Sequence, residues 1–505
     1  MSSEKNNKIE FGDWQTPPEL TGKICQLLFE QNIFPASVIE PTCGRGSFIL
    51  SALETFPSVK YCLGIDISGQ YLADTTEKIS PFTSKVDTKI IQADFFAFPW
   101  DKQLESMPEP ILVIGNPPWV TNSGLGSISG KNLPQKSNFQ NHKGLDAITG
   151  KGNFDISESI IITMLENLKG HNAYLAMLCK TSVARKILHY GHKNHFYFDL
   201  CKIYNIDSKK YFDVAVDACL LCVHLEEQRQ PIQCEIYNDI SDSSGVLASF
   251  KNGRFIANMQ LYEKWKHLFE NEKTSLRWRS GIKHDCAKIM ELHKSRDGYY
   301  KNALKEEIQL EGDYLFPMLK SSDLANGEIK TINRYMLVSQ SFVGEPTDRI
   351  ESCAPKTWQY IQQNAKLLDK RISIIYKNNP KFSIFGVGDY TFSDWKIAIS
   401  GFYKNIRFRL IGPYEGKPVV FDDTCYFLSC KSEEQAKAIY DLLSTDVVKE
   451  FYSAYIWWDA KRPITLEILN MLSINKLADF FEKDDNYAGF ENSKLCTKQE
   501  QLTMF

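Results

Sequence analysis

No apolar stretch in this 505-residue chain approaches 18 residues, the length needed to carry a helix across a bilayer. The opening residues, Met1 to Lys8, are polar and hold no secretory leader, so no membrane association is expected and the expected compartment is a bacterial or archaeal cytosol. A disulfide framework is missing too: thirteen cysteines, an odd number, are scattered through apparent strands and helices, which fits a reducing cytoplasm. Cys219 and Cys222 form a CxxC, but they lie inside an apolar run with no second pair at zinc-ligand spacing, so they read as buried thiols. His189, His192 and His195 recur every third residue with no carboxylate or cysteine cluster beside them. They read as surface or loop histidines, and no metal is expected. A basic surplus is also lacking, since 59 Lys and Arg stand against 62 Asp and Glu for a net charge of −3. That excludes a uniformly basic nucleic-acid binder and leaves room for a local basic face. The window 251 to 300 supplies one, with eleven lysines and arginines against six acids.

What the chain does have begins with ILVIG, residues 111 to 115, a buried strand by its composition, ending abruptly in Asn116, Pro117, Pro118 and Trp119. Adjacent prolines fix φ and remove two backbone donors, so the segment turns rigidly out of a sheet with its carbonyls free to accept. Asn116 adds a side-chain acceptor and Trp119 an aromatic face. An aromatic amine is a poor nucleophile because its lone pair is delocalised into the ring. Two acceptors aimed at its two hydrogens draw that pair back towards nitrogen, which suits methylation of a planar exocyclic amine.

Upstream, ASVIEPTCGRGSF (residues 36 to 48) reads as a strand ending at Glu40, a turn through Gly44 and Gly46, and a helix from Ser47. Small residues let a ligand approach the backbone, and the helix start offers free N–H groups. The next strand, YCLGID, ends in Asp66 about 20 residues later, where a doubly wound fold places a carboxylate on ribose hydroxyls. A third strand, KIIQADFF, is expected to end in Asp94, followed by Phe95. Acids at three successive strand tips, with the Asn-Pro-Pro-Trp string at a fourth, describe a crevice along one edge of a parallel sheet.

The ordered set QTPPE (Gln15 to Glu19), EPTCGRG (Glu40 to Gly46), GID (Gly64 to Asp66), ADFF (Ala93 to Phe96) and GNPPW (Gly115 to Trp119) resembles the gamma-class, TaqI-like DNA adenine methyltransferases. The resemblance implies an α/β fold: a class I S-adenosylmethionine-dependent methyltransferase domain, Rossmann-like with a seven-stranded sheet, followed by a mixed α+β target-recognition domain. It implies S-adenosylmethionine as methyl donor and no metal. Thr16 would lie near the cofactor's methionine carboxylate, Glu40 and the Gly44 to Gly46 turn near its methionine portion, Asp66 on the ribose, and Asp94 with Phe95 at the adenine. Thr42, Ile67 and Asn116 complete the implied cofactor contacts. Asn116 and the carbonyl of Pro117, with Pro118 bracing the turn, would hold the target amine, and Trp119 would stack on the base. KKYFDVAVDACLLCVHL resembles the family segment whose aromatic residue closes the other side of the flipped base, which points to Phe212. Two departures are visible: Trp119 replaces the more usual Tyr and keeps the stacking face, and Arg45 stands where many relatives have a small or acidic residue.

The periodicity predicts a helix over 17 to 31 and alternating strands and helices to about residue 225. The last two strands, CKIYNI and DACLLCVHL, are expected as an antiparallel pair at the sheet edge. Residues 121 to 152 carry six glycines and four lysines and little core, and read as a mobile loop beside the catalytic string. The expected division is a catalytic domain over 1 to 240, a basic linker or helix over 241 to 279, a recognition domain over 280 to 478, and a polar tail over 479 to 505. In the recognition domain Arg371, Tyr376, Lys377, Lys381, Lys396, Lys404, Arg407 and Arg409 are candidates for phosphate and base contacts, supported by a helical stretch over 438 to 458.

The expected partners are double-stranded DNA and a companion restriction endonuclease. Within the chain itself nothing reads as a nuclease, with about a dozen residues before QTPPE and no PD…ExK-like cluster near the end. The ending QLTMF resembles a sliding-clamp docking motif through Gln501, Leu502 and Phe505. Two other classes share features: an RNA or protein-glutamine methyltransferase with the same Asn-Pro-Pro string, and a non-catalytic DNA-binding or assembly protein. The long second half argues against the former and the complete set of catalytic positions against the latter. The expected chemistry is direct in-line methyl transfer to an adenine amine, with no covalent enzyme intermediate, on a base flipped from the duplex.

Overall fold

A computed structural model describes residues 15–120, 155–270, 276–296 and 298–483. The segment 121–152, read as a mobile loop, and the tail with Gln501, Leu502 and Phe505 lie outside the described residues. The chain forms two compact units that divide between Met259 and Gln260.

The first unit is built on one sheet. Its strands are β1 (Ser37–Glu40), β2 (Tyr61–Asp66), β3 (Asp87–Gln92), β4 (Ile111–Gly115), β5 (Ala173–Lys180), β6 (Tyr197–Ile206), β7 (Ala218–Glu226), β8 (Gln233–Tyr237), β9 (Val246–Lys251) and β10 (Arg254–Ile256). Their order is β10-β9-β8-β6-β7-β5-β4-β1-β2-β3. From β3 to β5 neighbouring strands run parallel, and β7 inserts antiparallel between β5 and β6. The helices are α1 (Pro18–Glu30), α2 (Ser47–Thr55), α3 (Gly69–Ile79), α4 (Trp100–Leu104), α5 (Ile156–Asn167), α6 (Thr181–Lys193) and α7 (Ser208–Phe212).

Local chemistry explains these boundaries. Pro18 starts α1, where its missing N–H costs nothing. The Ser68 hydroxyl accepts from Tyr71 N at the start of α3, and the Asp155 carboxylate accepts from Ser157 N at the start of α5. Central strands β1 and β4 are buried throughout, β4 as an unbroken apolar run covered on both faces, whereas edge strand β3 is half-exposed.

Several expectations need correction. The seven strands β1 to β7 are present but extended by β8, β9 and β10, so the β6/β7 pair is interior and β6 bonds to β8 on its other side. The boundary drawn at 240 falls inside this sheet: β9 and β10 lie within the stretch read as a linker, closed into a hairpin by Asn252 and Gly253, both at positive φ. Asn-Gly between two short apolar segments is a strong hairpin signal that the charge count of this window obscured. Strand β3 ends at Gln92, so Asp94 sits in the following turn. His189 and His192 are exposed, as read from the sequence, and lie on α6, where the His192 ring stacks on Phe250 with centroids 4.0 Å apart. Cys219 and Cys222 are both buried in β7, and an odd spacing on a strand sends them to opposite faces.

The second unit holds two smaller sheets. One has four strands in the order β11-β20-β17-β18 and the other six in the order β14-β13-β12-β16-β15-β19, with β11 (Arg279–Ser280), β12 (Glu291–Arg296), β13 (Tyr299–Lys301), β14 (Glu307–Ile308), β15 (Leu315–Leu319), β16 (Arg334–Leu337), β17 (Trp395–Ser400), β18 (Arg409–Ile411), β19 (Val420–Phe421) and β20 (Cys425–Cys430). The helical stretch expected over 438 to 458 is two helices, Glu433–Leu443 and Asp446–Ser453, broken at Ser444 and Thr445. Ser, Thr and Asp side chains compete for backbone partners and end helices in this way. Lys396, a candidate DNA contact, is fully buried in β17. Its ammonium donates to the carbonyls of Ser393 and Val419, the latter at 3.0 Å, so it is a core group and not a surface cation.

Candidate active site

The register of β4, β1, β2 and β3 brings their carboxyl ends to one edge: Glu40 pairs with Gly64, Ile39 with Val113 and Asp66 with Gln92. Past β1 the chain folds into a tight turn in which Cys43 N donates to Ile65 O and Gly46 N to Cys43 O, both at 2.8 Å. Gly44 and Gly46 sit at φ +49° and +71°, a region only glycine enters freely. A Cβ on Gly46 would stand 2.4 Å from Thr75 Cγ2, so close approach requires glycine as well as the dihedral does.

Asp66 ties this turn to the tip of β2. Its Oδ2 accepts from Gly44 N and its Oδ1 from Ser68 N, each at 2.8 Å. Thr75 Oγ1 donates to Gly44 O at 3.0 Å, which anchors the turn to α3. Glu40 is buried, with Oε2 accepting from Ile49 N at 3.2 Å. Burial pushes its carboxyl well above the ordinary range, only partly opposed by that backbone hydrogen bond. Thr42 Oγ1 is buried with no hydrogen-bond partner among the described residues. Ile67, directly after Asp66, leaves 49% of its surface exposed. An apolar side chain, a carboxylate and an unused hydroxyl thus gather around a glycine turn, a donor set that fits a nucleoside carrying an amino-acid tail.

At β3 the structure separates the two residues expected at an adenine. Asp94 is exposed and its Oδ1 accepts from Phe96 N at 3.0 Å. The Phe95 ring is buried against Trp100, centroids 5.3 Å apart, while Phe96 is exposed. Ala93 N donates to Asp66 O at 3.1 Å, so this turn and the β2 tip are neighbours. Thr16 is buried, and the segment carrying it lies beside the glycine turn, because Arg45 N donates to Gln15 Oε1 at 3.2 Å. Arg45 itself pairs with Asp74 at 3.2 Å and lies over the Tyr71 ring, contacts on α3 that accommodate the family departure.

Asn116 to Trp119 follow β4. The Trp119 ring is buried, its Nε1 donating to Leu178 O at 3.4 Å. Phe212, 93 residues later in the sequence, meets it edge-on, with centroids 5.3 Å apart and planes at 71°. Phe212 is placed by α7, which Asp207 caps through Lys210 N and Asp213 ends at φ +57°. The resemblance paired these two rings and the structure brings them together.

One group was missed. Lys180, at the end of β5, donates to Trp119 O at 3.1 Å and to Asp155 Oδ2 at 2.6 Å. Ile156 N donates to Val120 O at 3.0 Å. Lys180 and Asp155 therefore fasten the Asn116 to Trp119 string to the start of α5. The available signal was a single cation closing the apolar strand AYLAMLCK. Among the described residues no group of three or more His, Cys, Asp or Glu is arranged to hold a metal ion, and no helix is long and apolar enough to cross a membrane.

A sheet with this strand order, a glycine turn after β1, an acid at the β2 tip and Asn-Pro-Pro at the β4 tip defines a class I S-adenosylmethionine-dependent methyltransferase fold. The chain is 47% identical, over 94% of its own length and 98% of the relative's, to the type II methyltransferase M.NspV of Nostoc sp. (strain ATCC 29411 / PCC 7524). It belongs to that family, the methyltransferases of type II restriction-modification systems. The type IIL restriction-modification enzyme MmeI, solved in complex with DNA, shares the fold with a TM-score of 0.51 at 12% identity, over 97% of this chain and 72% of its own. No family model matches the chain.

Proposed function

We propose that the protein methylates the exocyclic amine of adenine in double-stranded DNA, on a base flipped out of the helix, with S-adenosylmethionine as donor. The observation that carries this reading is the meeting of Trp119 and Phe212 beside Asn116, at the sheet edge where the glycine turn and Asp66 lie. When bound, S-adenosylmethionine supplies an electrophilic methyl group on a sulfonium. Thr42, the Gly44 to Gly46 turn, Asp66 and Ile67 would hold it, with Thr16, Glu40, Asp94 and Phe95 completing the crevice.

The chain's own residues prepare the nucleophile. Asn116 Oδ1 and the Pro117 carbonyl accept the two amine hydrogens, and Pro118 keeps the carbonyl aimed by denying the backbone other conformations. Aromatic rings are about 3.4 Å thick, so two rings with centroids 5.3 Å apart leave no room for a base between them. The flipped base must part Trp119 and Phe212, exchanging one ring contact for two. Stacking of this kind contributes about 1 to 3 kcal/mol per base and offsets the cost of unstacking. Lys180 and Asp155 hold the Trp119 carbonyl while the rings part. In this reading the second unit supplies target recognition, and a companion endonuclease cleaves the same site when it is unmethylated.

The test is transfer of tritium from labelled S-adenosylmethionine to duplex DNA, total RNA and protein, followed by nucleoside analysis. Label in N6-methyladenine is expected. Label in methylcytosine, or only in RNA or protein, overturns the proposal.

A further inference from the structure

In the second unit, Ile372 is 95% exposed and Ile374 64% exposed. They are the two most exposed large apolar side chains among the described residues, and only Ser373 separates them. Isolated apolar side chains on a surface are ordinary, but two on one short tip are not accounted for by folding, since Ile372 buries almost nothing and Ile374 is mostly exposed. The tip is firmly mounted. Arg371 Nε donates to Leu368 O at 2.9 Å, and its Nη1 donates to Ser383 O at 2.7 Å and to His284 O at 3.4 Å. Its guanidinium lies 3.9 Å from the centroid of the Tyr376 ring. Tyr376 N donates to Ser373 O and Lys377 N to Ile374 O, closing the turn over Ile374–Tyr376. Arg371, a candidate DNA contact on sequence grounds, is thus the mount for its neighbour.

The surroundings choose the partner. Residues 365 to 382 contain five cations, Lys366, Lys370, Arg371, Lys377 and Lys381, against the single acid Asp369. The four lysines are exposed. An apolar tip flanked along the chain by exposed lysines matches a polyanion with an apolar interior, and the stacked core of a duplex between its phosphates is such a surface. Resting on the reading that the protein takes duplex DNA, we propose that Ile372 and Ile374 form a wedge that enters a base step of the bound duplex, while Lys370, Lys377 and Lys381 contact the flanking phosphates.

The experiment uses the full chain and a 30-base-pair duplex carrying the site that the wild type methylates, with 2-aminopurine placed in turn at each step outside the target base. Wild type should brighten the probe at one step, where stacking is lost. Ile372→Ser, which removes almost no buried contact and should melt with the wild type, is expected to abolish that brightening and weaken duplex binding about tenfold, without changing the salt dependence. Lys377→Ala should keep the bright step and lower the slope of log affinity against log salt by about one. Identical brightening and affinity for wild type and Ile372→Ser overturn the wedge and leave the functional reading standing. Loss of binding to anionic vesicles with DNA binding intact also overturns it, in favour of a lipid surface. A wild type that methylates no DNA overturns the functional reading and the wedge with it.

Discussion

The two units place their polar groups in opposite ways. In the first, the groups with chemical potential stand at the ends of four adjacent parallel strands, supported from below by an apolar core in which β1 and β4 are wholly buried. In the second, ionic groups are drawn inward between short strands. Lys396 is enclosed in β17, and His284, Glu291, Lys320 and Asp422 form a network in which Lys320 Nζ lies 2.6 Å from Glu291 and 3.8 Å from Asp422. The difference follows from the scaffolds. Adjacent parallel strands leave their tips as a shared edge where a ligand can meet several side chains at once. Strands as short as the two residues of β11, β14 and β19 cannot bury enough apolar surface to fix the loops between them, and buried polar contacts tie those loops down instead. Changes in the first unit should therefore register in the chemistry, and many changes in the second should register in stability.

The largest effect that would sharpen this contrast is at Asn116. Asn116→Ala should lower methyl transfer by at least about 100-fold, the scale seen when one donor or acceptor of a reacting centre is lost, with cofactor affinity by calorimetry nearly unchanged. Asp66→Ala should do the reverse, weakening cofactor binding by about 1 to 3 kcal/mol because it also frees Gly44 from its hydrogen bond. Nearly full turnover by the Asn116 variant would break the proposed chemistry.

Lys180 tests whether the first unit also depends on a buried ionic tie. Lys180→Met leaves the Asp155 carboxylate, 5% exposed, without its ammonium partner and should cost about 3 kcal/mol in denaturant titrations. Because the same ammonium holds the Trp119 carbonyl, kcat should fall more than the cofactor KM rises. Pairing it with Asp155→Asn should restore much of the stability and little of kcat. Recovery of both together would make Lys180 merely structural.

Lys396 is the corresponding probe of the second unit. Burial depresses its ammonium from 10.5 to about 7, with Asp394 acting weakly the other way. Between those two values the unfolded chain carries a proton that the folded chain does not, so stability rises with pH through the window and the full penalty remains below it. Relative to Lys396→Met, the wild type should gain up to about 1.4 kcal/mol per pH unit from pH 7 towards 10 in urea titrations. Parallel curves for the two proteins would mean that the ammonium stays charged and that its carbonyl partners suffice.

The smallest expected effect is at Phe212. Phe212→Ala should weaken binding to an intact duplex by about 1 to 2 kcal/mol, and less to a duplex mismatched at the target base, where flipping is already easier. Equal losses on the two substrates would remove Phe212 from the flipping role and leave it as a core residue packed on Trp119.

Much of the first unit is legible along the chain because its signals are local. YCLGID and ILVIG announce buried strands by composition, and Gly44, Gly46 and the two prolines announce turns by stereochemistry. Phe212 was reachable only through family resemblance, since nothing near it in sequence points to Trp119. Lys180, Asp155 and Gln15 went unread because their meaning lies in partners 25 to 61 residues away. Strands β9 and β10 fall in the stretch read as a basic linker, although Asn252-Gly253 marked their hairpin. In the second unit Lys396 and Arg371 looked like surface cations, because a sequence gives charge and not depth.

The order of elements in the first unit, the strand-tip acids and the rigid Asn116 to Trp119 string were determined by the sequence alone, since backbone stereochemistry and apolar periodicity act between near neighbours. Tertiary structure alone decided which ring faces Trp119, which lysine holds its carbonyl, which cation is buried and which isoleucine is bare. Those outcomes depend on long-range packing, where a side chain's surroundings are set by residues that share no local pattern with it.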